Sequence, residues 1–298
     1  MARDQRYLFS GLLRLEGPLH IGGGSVGFAP TDNPVLRTAA GIPTIPGSSL
    51  KGALRSMVER LAANIDGVWT CALADKRCAG VQGKRQDDLN SLRQKGNWNS
   101  ERLFEELTRA PEPGQQAEPW LCDTCWLFGS TYVASRVEFA DLYPVDASLA
   151  PTSVRDGVGI DRDTGRAMAK HKFDYEVVEP GPEFGLEITL SSRRSKDLGL
   201  ICLGLNELQA GRVTLGGKVS RGLGRVRLVN LHVFSLDLAD DRFRRERLQT
   251  YVLARLQDPP AGVPFAAVGM EPVADVDRFL RDAIIGLIGR DADAQPAV

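Results

Sequence analysis

The sequence lacks most of the features that would assign it quickly. No stretch approaches the run of roughly 18 apolar residues that a membrane span needs. The opening residues carry no apolar secretory segment, so a cytoplasmic location is expected. Five cysteines among 298 residues are too few for a disulfide framework; in a reducing compartment they serve metal ligation, catalysis or burial. There is no Gly-Lys-Ser or Gly-Lys-Thr string, because Lys51 precedes Gly52 inside a helical pattern. Gly22, Gly23 and Gly24 open no helix and no acid follows at the expected distance, which excludes a dinucleotide fingerprint as well as a P-loop. No unit of 20 to 50 residues repeats. A formal net charge of −1 is also not the basic surplus of an independent nucleic-acid binder. The charges are uneven, however: residues 155–172 are rich in Arg and Lys, and residues 212–227 are basic without a single acid.

What is present is the composition of a soluble globular protein, 43% hydrophobic and 25% charged, enough for one elaborated domain or two small ones. Alternation over residues 7–15 predicts a strand that runs into the glycine loop. Leu50, Leu54, Val58 and Leu61 recur at helical spacing after Ser48 and Ser49, which read as the helix start. Residues 64–119 turn polar and read as an insertion with a short helix at 102–107. Residues 136–142 alternate as a strand, and 153–172, poor in large apolar residues, should project. Residues 173–179 and 183–191 read as paired strands around Pro180-Gly181-Pro182, followed by a buried helix at 198–210 and a last strand at 225–236. Two further helices are expected at 240–256 and 273–288. This order suits an α+β fold, one sheet with helices on a face in a split βαβ arrangement.

Four thiols have the spacing of a metal site. Cys71 and Cys78 lie in the polar insertion, and Cys122 and Cys125 form a CxxC, so the four could close a tetrahedral zinc site of structural type. The alternative is unrelated surface thiols beside a redox-active CxxC, but the βαβ context of such motifs is missing. Cys202, in an apolar run, reads as a buried small hydrophobe. Gly22 to Gly24 free the backbone to approach a partner, or simply make a turn. Ser48, Ser49, Lys51 and Arg55 sit where a helix start favours an anion such as phosphate, though a plain N-cap with solvated cations explains the same letters. Gly216, Gly217, Lys218 and Arg221 suit a loop lying against a polyanion backbone.

These letters also fall into a known pattern. Leu19-His-Ile-Gly-Gly-Gly24, Thr31-Asp-Asn-Pro-Val35, Ile45-Pro-Gly-Ser-Ser-Leu-Lys-Gly-Ala-Leu-Arg55, Cys125-Trp-Leu-Phe-Gly-Ser130, Gly159-Ile-Asp-Arg-Asp-Thr-Gly-Arg-Ala167 and Gly216-Gly-Lys-Val-Ser-Arg-Gly-Leu-Gly-Arg225 together resemble the RAMP superfamily, in particular backbone subunits of type III CRISPR effector complexes. The resemblance implies a ferredoxin-like (RRM-like) palm over about residues 1–236 and a projecting thumb hairpin at about 154–175; the zinc-binding insertion at about 64–121, read from the cysteines, and the C-terminal helices depart from the plainest of these subunits. Residues 237–298 would form a C-terminal helical extension. It implies binding of a CRISPR guide RNA and its complementary target RNA, alongside other RAMP subunits and the large subunit of the complex. His20, Gly22, Gly23, Gly24, Ser48, Ser49, Lys51, Arg55, Arg162, Arg166, Lys170, Lys172, Gly216, Gly217, Lys218 and Arg221 would meet RNA. Asp32 occupies the place of an aspartate that cuts target RNA with a divalent cation, Mg or Mn. Local chemistry alone favours Asp32 as the start of the Asn33-Pro34 turn, and the resemblance reverses that order. Two other outcomes are a purely structural subunit, and a metal-independent guide-processing nuclease using His20.

Overall fold

The computed structural model describes residues 5–24, 31–71, 121–130, 133–192, 194–238, 240, 242–257 and 264–289. Cys78, the predicted helix at 102–107 and most of the predicted insertion lie outside the described residues.

The chain forms β1 (Gln5–Leu15), α1 (Gly47–Ala62), α2 (Asp123–Phe128), β2 (Val137–Phe139), β3 (Thr152–Ile160), β4 (Ala167–Val178), β5 (Glu183–Ser192), α3 (Ser195–Gln209), β6 (Val226–Asp237), α4 (Arg244–Ala254), β7 (Glu271–Pro272) and α5 (Val276–Leu287). The α+β class expected from the sequence is borne out. One antiparallel sheet has the order β2-β5-β1-β6-β7, and β3 and β4 pair separately as a hairpin. With β1-α1-β2 and β5-α3-β6 as its two halves, the order places β5 between β1 and β2, which is the split βαβ pattern. A bulge interrupts β1 against β6 between Ser10 and Leu12, where Asn230 takes a φ of 52°.

The core lies between this sheet and α1 and α3. Phe9, Leu13, Phe184, Ile188, Val226 and Val233 come from the strands, and Leu50, Leu54 and Val58 from one stripe of α1. Two glycines inside α3 set the helix crossings. A Cβ on Gly204 would lie 2.9 Å from Val58 Cγ2, and one on Gly199 would lie 2.7 Å from Leu287 Cβ, so α1 and α5 each approach α3 where it has no side chain. Leu280 and Leu287 of α5 belong to the same core cluster as the strands, and β7 extends the sheet beside β6.

Three local expectations are corrected. Residues 173–178 do not pair with β5; they are the second half of β4, which continues unbroken out of the hairpin and pairs with β3. The strand expected at 136–142 is regular only over Val137–Phe139, with an isolated bridge between Ile45 and Leu142. The serines do not cap α1. Its N-cap is Pro46, and the Gly47 N–H donates to Asp141 Oδ1 at 2.8 Å, so a carboxylate brought from the chain 94 residues on already occupies the positive end of the helix.

The glycines give a paired test. Gly52 is exposed in the interior of α1 with nothing within 4 Å of its absent Cβ, so Gly52→Ala should raise unfolding free energy by about 0.5–1 kcal/mol. Gly199→Ala, with the same helical gain, should instead lower it by about 1–2 kcal/mol, since the new methyl pushes α5 away. Urea unfolding of the two variants checks both signs.

Candidate nucleic-acid interface

The hairpin base is gripped on both faces. Residues opposed across an antiparallel pair share a face, so Val154, Asp156 and Val158 lie with Glu176, Asp174 and Lys172, and Arg155 and Gly157 lie with Tyr175 and Phe173. The second face packs on the glycine-rich loop before β6. Lys218 Nζ sits 4.4 Å from the centre of the Tyr175 ring and the Arg221 guanidinium 5.7 Å from that of Phe173, and Leu223 is buried against Tyr175 and Val177. Gly157 leaves room for the Phe173 ring, which lies across its Cα. Such cation–ring contacts contribute about 0.5–2 kcal/mol each.

The first face receives the loop that follows Gly24. Val35 N–H donates to Glu176 Oε2 at 3.0 Å, Arg37 reaches Glu176 Oε1 at 2.5 Å, and Glu176 N–H donates to Asn33 O at 2.9 Å. Partial burial alone would raise the Glu176 carboxyl, but the Val35 N–H, the Thr152 hydroxyl and the Arg37 guanidinium outweigh it and hold the group below its usual range. Asp32 is exposed beside Asp174, the two joined by hydrogen bonds of 2.7 and 3.3 Å.

His20 joins the two sides. It is 6% exposed, its Nδ1 lies 2.7 Å from Glu176 O, and its ring meets Tyr175 edge-on. A carbonyl only accepts, so Nδ1 carries the proton and Nε2 is the other, open nitrogen. The backbone O of His20 accepts the Gly217 N–H at 2.9 Å. Gly216, at φ 74°, lies so close to that carbonyl that a Cβ would overlap it. The two glycine motifs, nearly 200 residues apart, thus meet around one histidine.

Not every predicted residue joins them. The Gly23 N–H is taken by Pro34 O at 3.0 Å and the Gly217 N–H by His20, so neither amide is open to phosphate; Gly22 and Gly24 are exposed at the rim. Arg162 and Arg166 are exposed around the hairpin tip, and Lys172 pairs with Asp156 at 3.2 Å. The Lys170 side chain lies outside the described residues. Ser48, Ser49 and Lys51 belong to the first turns of α1, where burial and the neighbouring Arg55 lower the Lys51 ammonium. Arg55 faces inward: it binds Glu59 at 2.8 Å, Gly129 O at 2.9 Å and Cys125 Sγ at 3.1 Å.

That last contact leads to the thiols. The sulfurs of Cys71, Cys122 and Cys125 all lie within 4.8 Å of one another and are buried, with Cys71 and Cys125 at 3.5 Å. Cys122 caps α2, its sulfur accepting the Cys125 N–H at 3.3 Å. Trp126 of α2 donates to Asp197 Oδ2 at 3.0 Å and lies 4.4 Å beneath the Arg136 guanidinium, which ties the cluster to α3. The residues that the sequence did not single out are Phe173, Asp174, Tyr175 and Glu176; their signal was the alternation of two aromatics with two acids along one strand.

The family model for the RAMP superfamily matches residues 12–227. The chain belongs to this superfamily. The match starts in β1 and ends in β6, and so takes in both glycine motifs, the hairpin and the cysteine-bearing α2. The RAMP chain is 26% identical over 236 residues to a protein named CRISPR system Cms endoribonuclease Csm3 from Methanocaldococcus jannaschii, covering 74% of this chain and 78% of that protein. It is 25% identical over 244 residues to the protein of the same name from Methanothermobacter thermautotrophicus, covering 78% and 87%. Among the described residues, no helix is long and apolar enough to cross a membrane.

The loop contact is open to a stability test. Gly216→Ala combines left-handed strain with overlap on the His20 carbonyl and should cost about 2–3 kcal/mol. Gly222→Ala, at φ 84° with nothing within 4 Å, should cost only about 1 kcal/mol. Thermal melts of the two variants separate the contact from the strain.

Proposed function

We propose that this chain is a guide-RNA-binding backbone subunit of a type III CRISPR effector complex, and that it cuts the paired target RNA through Asp32. The observation that carries the reading is the meeting of both glycine motifs, with Lys218, Arg221 and His20, at the base of an exposed hairpin that holds Asp32 on its other face. The hairpin is the thumb expected to lie over the guide, and Arg162 and Arg166 at its tip meet phosphate. The kinship with the two proteins named Csm3 supports the same assignment. Sequence choice then belongs to guide pairing rather than to side chains, as in other RNA-guided effectors. The near-neutral net charge is consistent with a subunit that holds RNA as one of several linked copies, each weak by itself. Other RAMP subunits and the large subunit are the implied neighbours.

Asp32 suits a hard divalent cation, Mg²⁺ or Mn²⁺: its carboxylate is exposed, Oδ2 faces the Asp174 amide, and a second carboxylate adjoins it. When bound, such an ion would supply charge to a phosphate oxygen as the neighbouring 2′-hydroxyl attacks. Water and RNA oxygens would fill the remaining positions. His20, held by Glu176 and nearly enclosed, serves this reading as a pin for the RNA-facing loops. In assembled complexes given Mg²⁺, Asp32→Asn should abolish regularly spaced cuts while guide RNA still co-purifies. Unchanged cutting would reduce the chain to scaffold.

Cys71, Cys122 and Cys125, with Cys78 as fourth ligand, are proposed to hold structural zinc. Three converging sulfurs, one receiving a backbone N–H and another a guanidinium, suit thiolates. Metal analysis should find about one zinc per chain by that ligand count. Cys122→Ser with Cys125→Ser should lose it and melt at lower temperature, whereas a native protein without zinc would count against the site.

A further inference from the structure

The segment carrying Asp32 belongs to no helix or strand, yet it is fastened to one point of β4. Asp174 Oδ1 accepts the Asp32 N–H at 2.7 Å, the Asp174 N–H donates to Asp32 Oδ2 at 3.3 Å, and Asn33 Nδ2 donates to Asp174 O at 3.1 Å. Asp174 therefore commits its amide, its carbonyl and its side chain to two residues that precede it by more than 140 positions. Its strand partner is Asp156, and like charges opposed in this way weaken a hairpin. Lys172 offsets only Asp156. A residue selected for hairpin stability alone would not be an acid here. An exposed hydrogen bond also adds little to folding, so the chief effect of these contacts is directional: the Asp174 side chain anchors the Asp32 amide while the Asp174 amide meets the Asp32 carboxylate.

We infer that Asp174 is the positioning residue for Asp32, so that the hairpin and the cutting carboxylate move as one unit when RNA is seated. The inference rests on the proposed role of Asp32 and adds to it a second residue with a different job. The needed group is an acceptor oxygen at the Asp174 side chain, and its charge is dispensable; asparagine supplies the oxygen and alanine does not.

The test uses the assembled complex with guide RNA and Mg²⁺, comparing native protein, Asp32→Asn, Asp174→Ala and Asp174→Asn. Guide content, target affinity and the cleavage rate at saturating target are measured for each. Asp174→Ala should lower the saturated rate by about 10- to 100-fold through misplacement of the carboxylate, with guide content and target affinity unchanged, and Asp174→Asn should restore most of it. Native rates in the alanine variant, a loss traceable to weaker target binding, or an asparagine variant as slow as alanine would overturn the inference. Amide exchange at Asp32 gives a readout independent of cutting: it should be faster in Asp174→Ala than in native or Asp174→Asn protein. If the native complex fails to cut, the proposed function falls, and unchanged exchange would then overturn the positioning role by itself.

Discussion

Glu176 commits every polar group it has to holding two loops on one strand. Its amide goes to Asn33 O, its carbonyl to the His20 ring, one carboxylate oxygen to the Val35 amide and the other to Arg37. Because the neighbours Tyr175 and Val177 point to the opposite face, the same short stretch of β4 also buries Leu223 and receives Lys218 over its aromatic ring. Asp32, His20 and Lys218 of the proposed site are all positioned through this stretch. Removing the hairpin base would leave the glycine loops held only by each other, and Asp32 without its Asp174 partner.

The hairpin can serve as that reference because the main core takes little from it: of its described residues, Val178 at the end of β4 joins that cluster. The five-stranded sheet and its helical layer supply most of the core, with α1 and α5 set against α3 at two glycines. The cost of glycine inside a helix, about 1 kcal/mol each, is offset by close approach of the neighbouring helices. Arg55 then links α1 to the cysteine-bearing α2, and Trp126 links α2 to α3 through Asp197. Asp197 is fully buried, and burial raises its carboxyl despite Arg194, Ser192 and Trp126. The thiol cluster is thus joined to the helical layer rather than to the hairpin, and the proposed zinc there would steady the sheet and helices and stand apart from the chemistry proposed at Asp32.

A division of labour follows for binding. Backbone amides that sequence reading would offer to phosphate, those of Gly23 and Gly217, are spent on holding the loops together. Close approach instead requires Gly23, against the backbone of Val35 and Leu36, and Gly216, against the His20 carbonyl. On the proposed function, contact with a polyanion falls to side chains at the rim, Arg221 and the exposed arginines of the hairpin tip among them, with electrostatics local rather than global. Such a proposed interface would be locally basic on a chain whose total charge is close to zero.

Much of this was legible in the sequence. Period-two and period-3.6 patterns located β1, α1, α3 and β6, since each buries one face and that need is local. The ordered glycine motifs named the superfamily, and cysteine spacing picked out the thiols that converge. What the sequence could not carry were pairings between distant segments. Serines before α1 looked like caps until Asp141 proved to occupy the helix start. Arg55 looked like a phosphate ligand until its partners proved to be Glu59, Gly129 and Cys125. The run 173–178 looked like a partner for β5, because alternation reports that a strand exists and is silent on which edge it joins. The sequence by itself determined which elements form and which loops stay thin enough for close approach. Only the tertiary structure decided that Asp32 meets Asp174, because that contact depends on the register of β3 with β4 and on the path of a loop with no periodicity of its own.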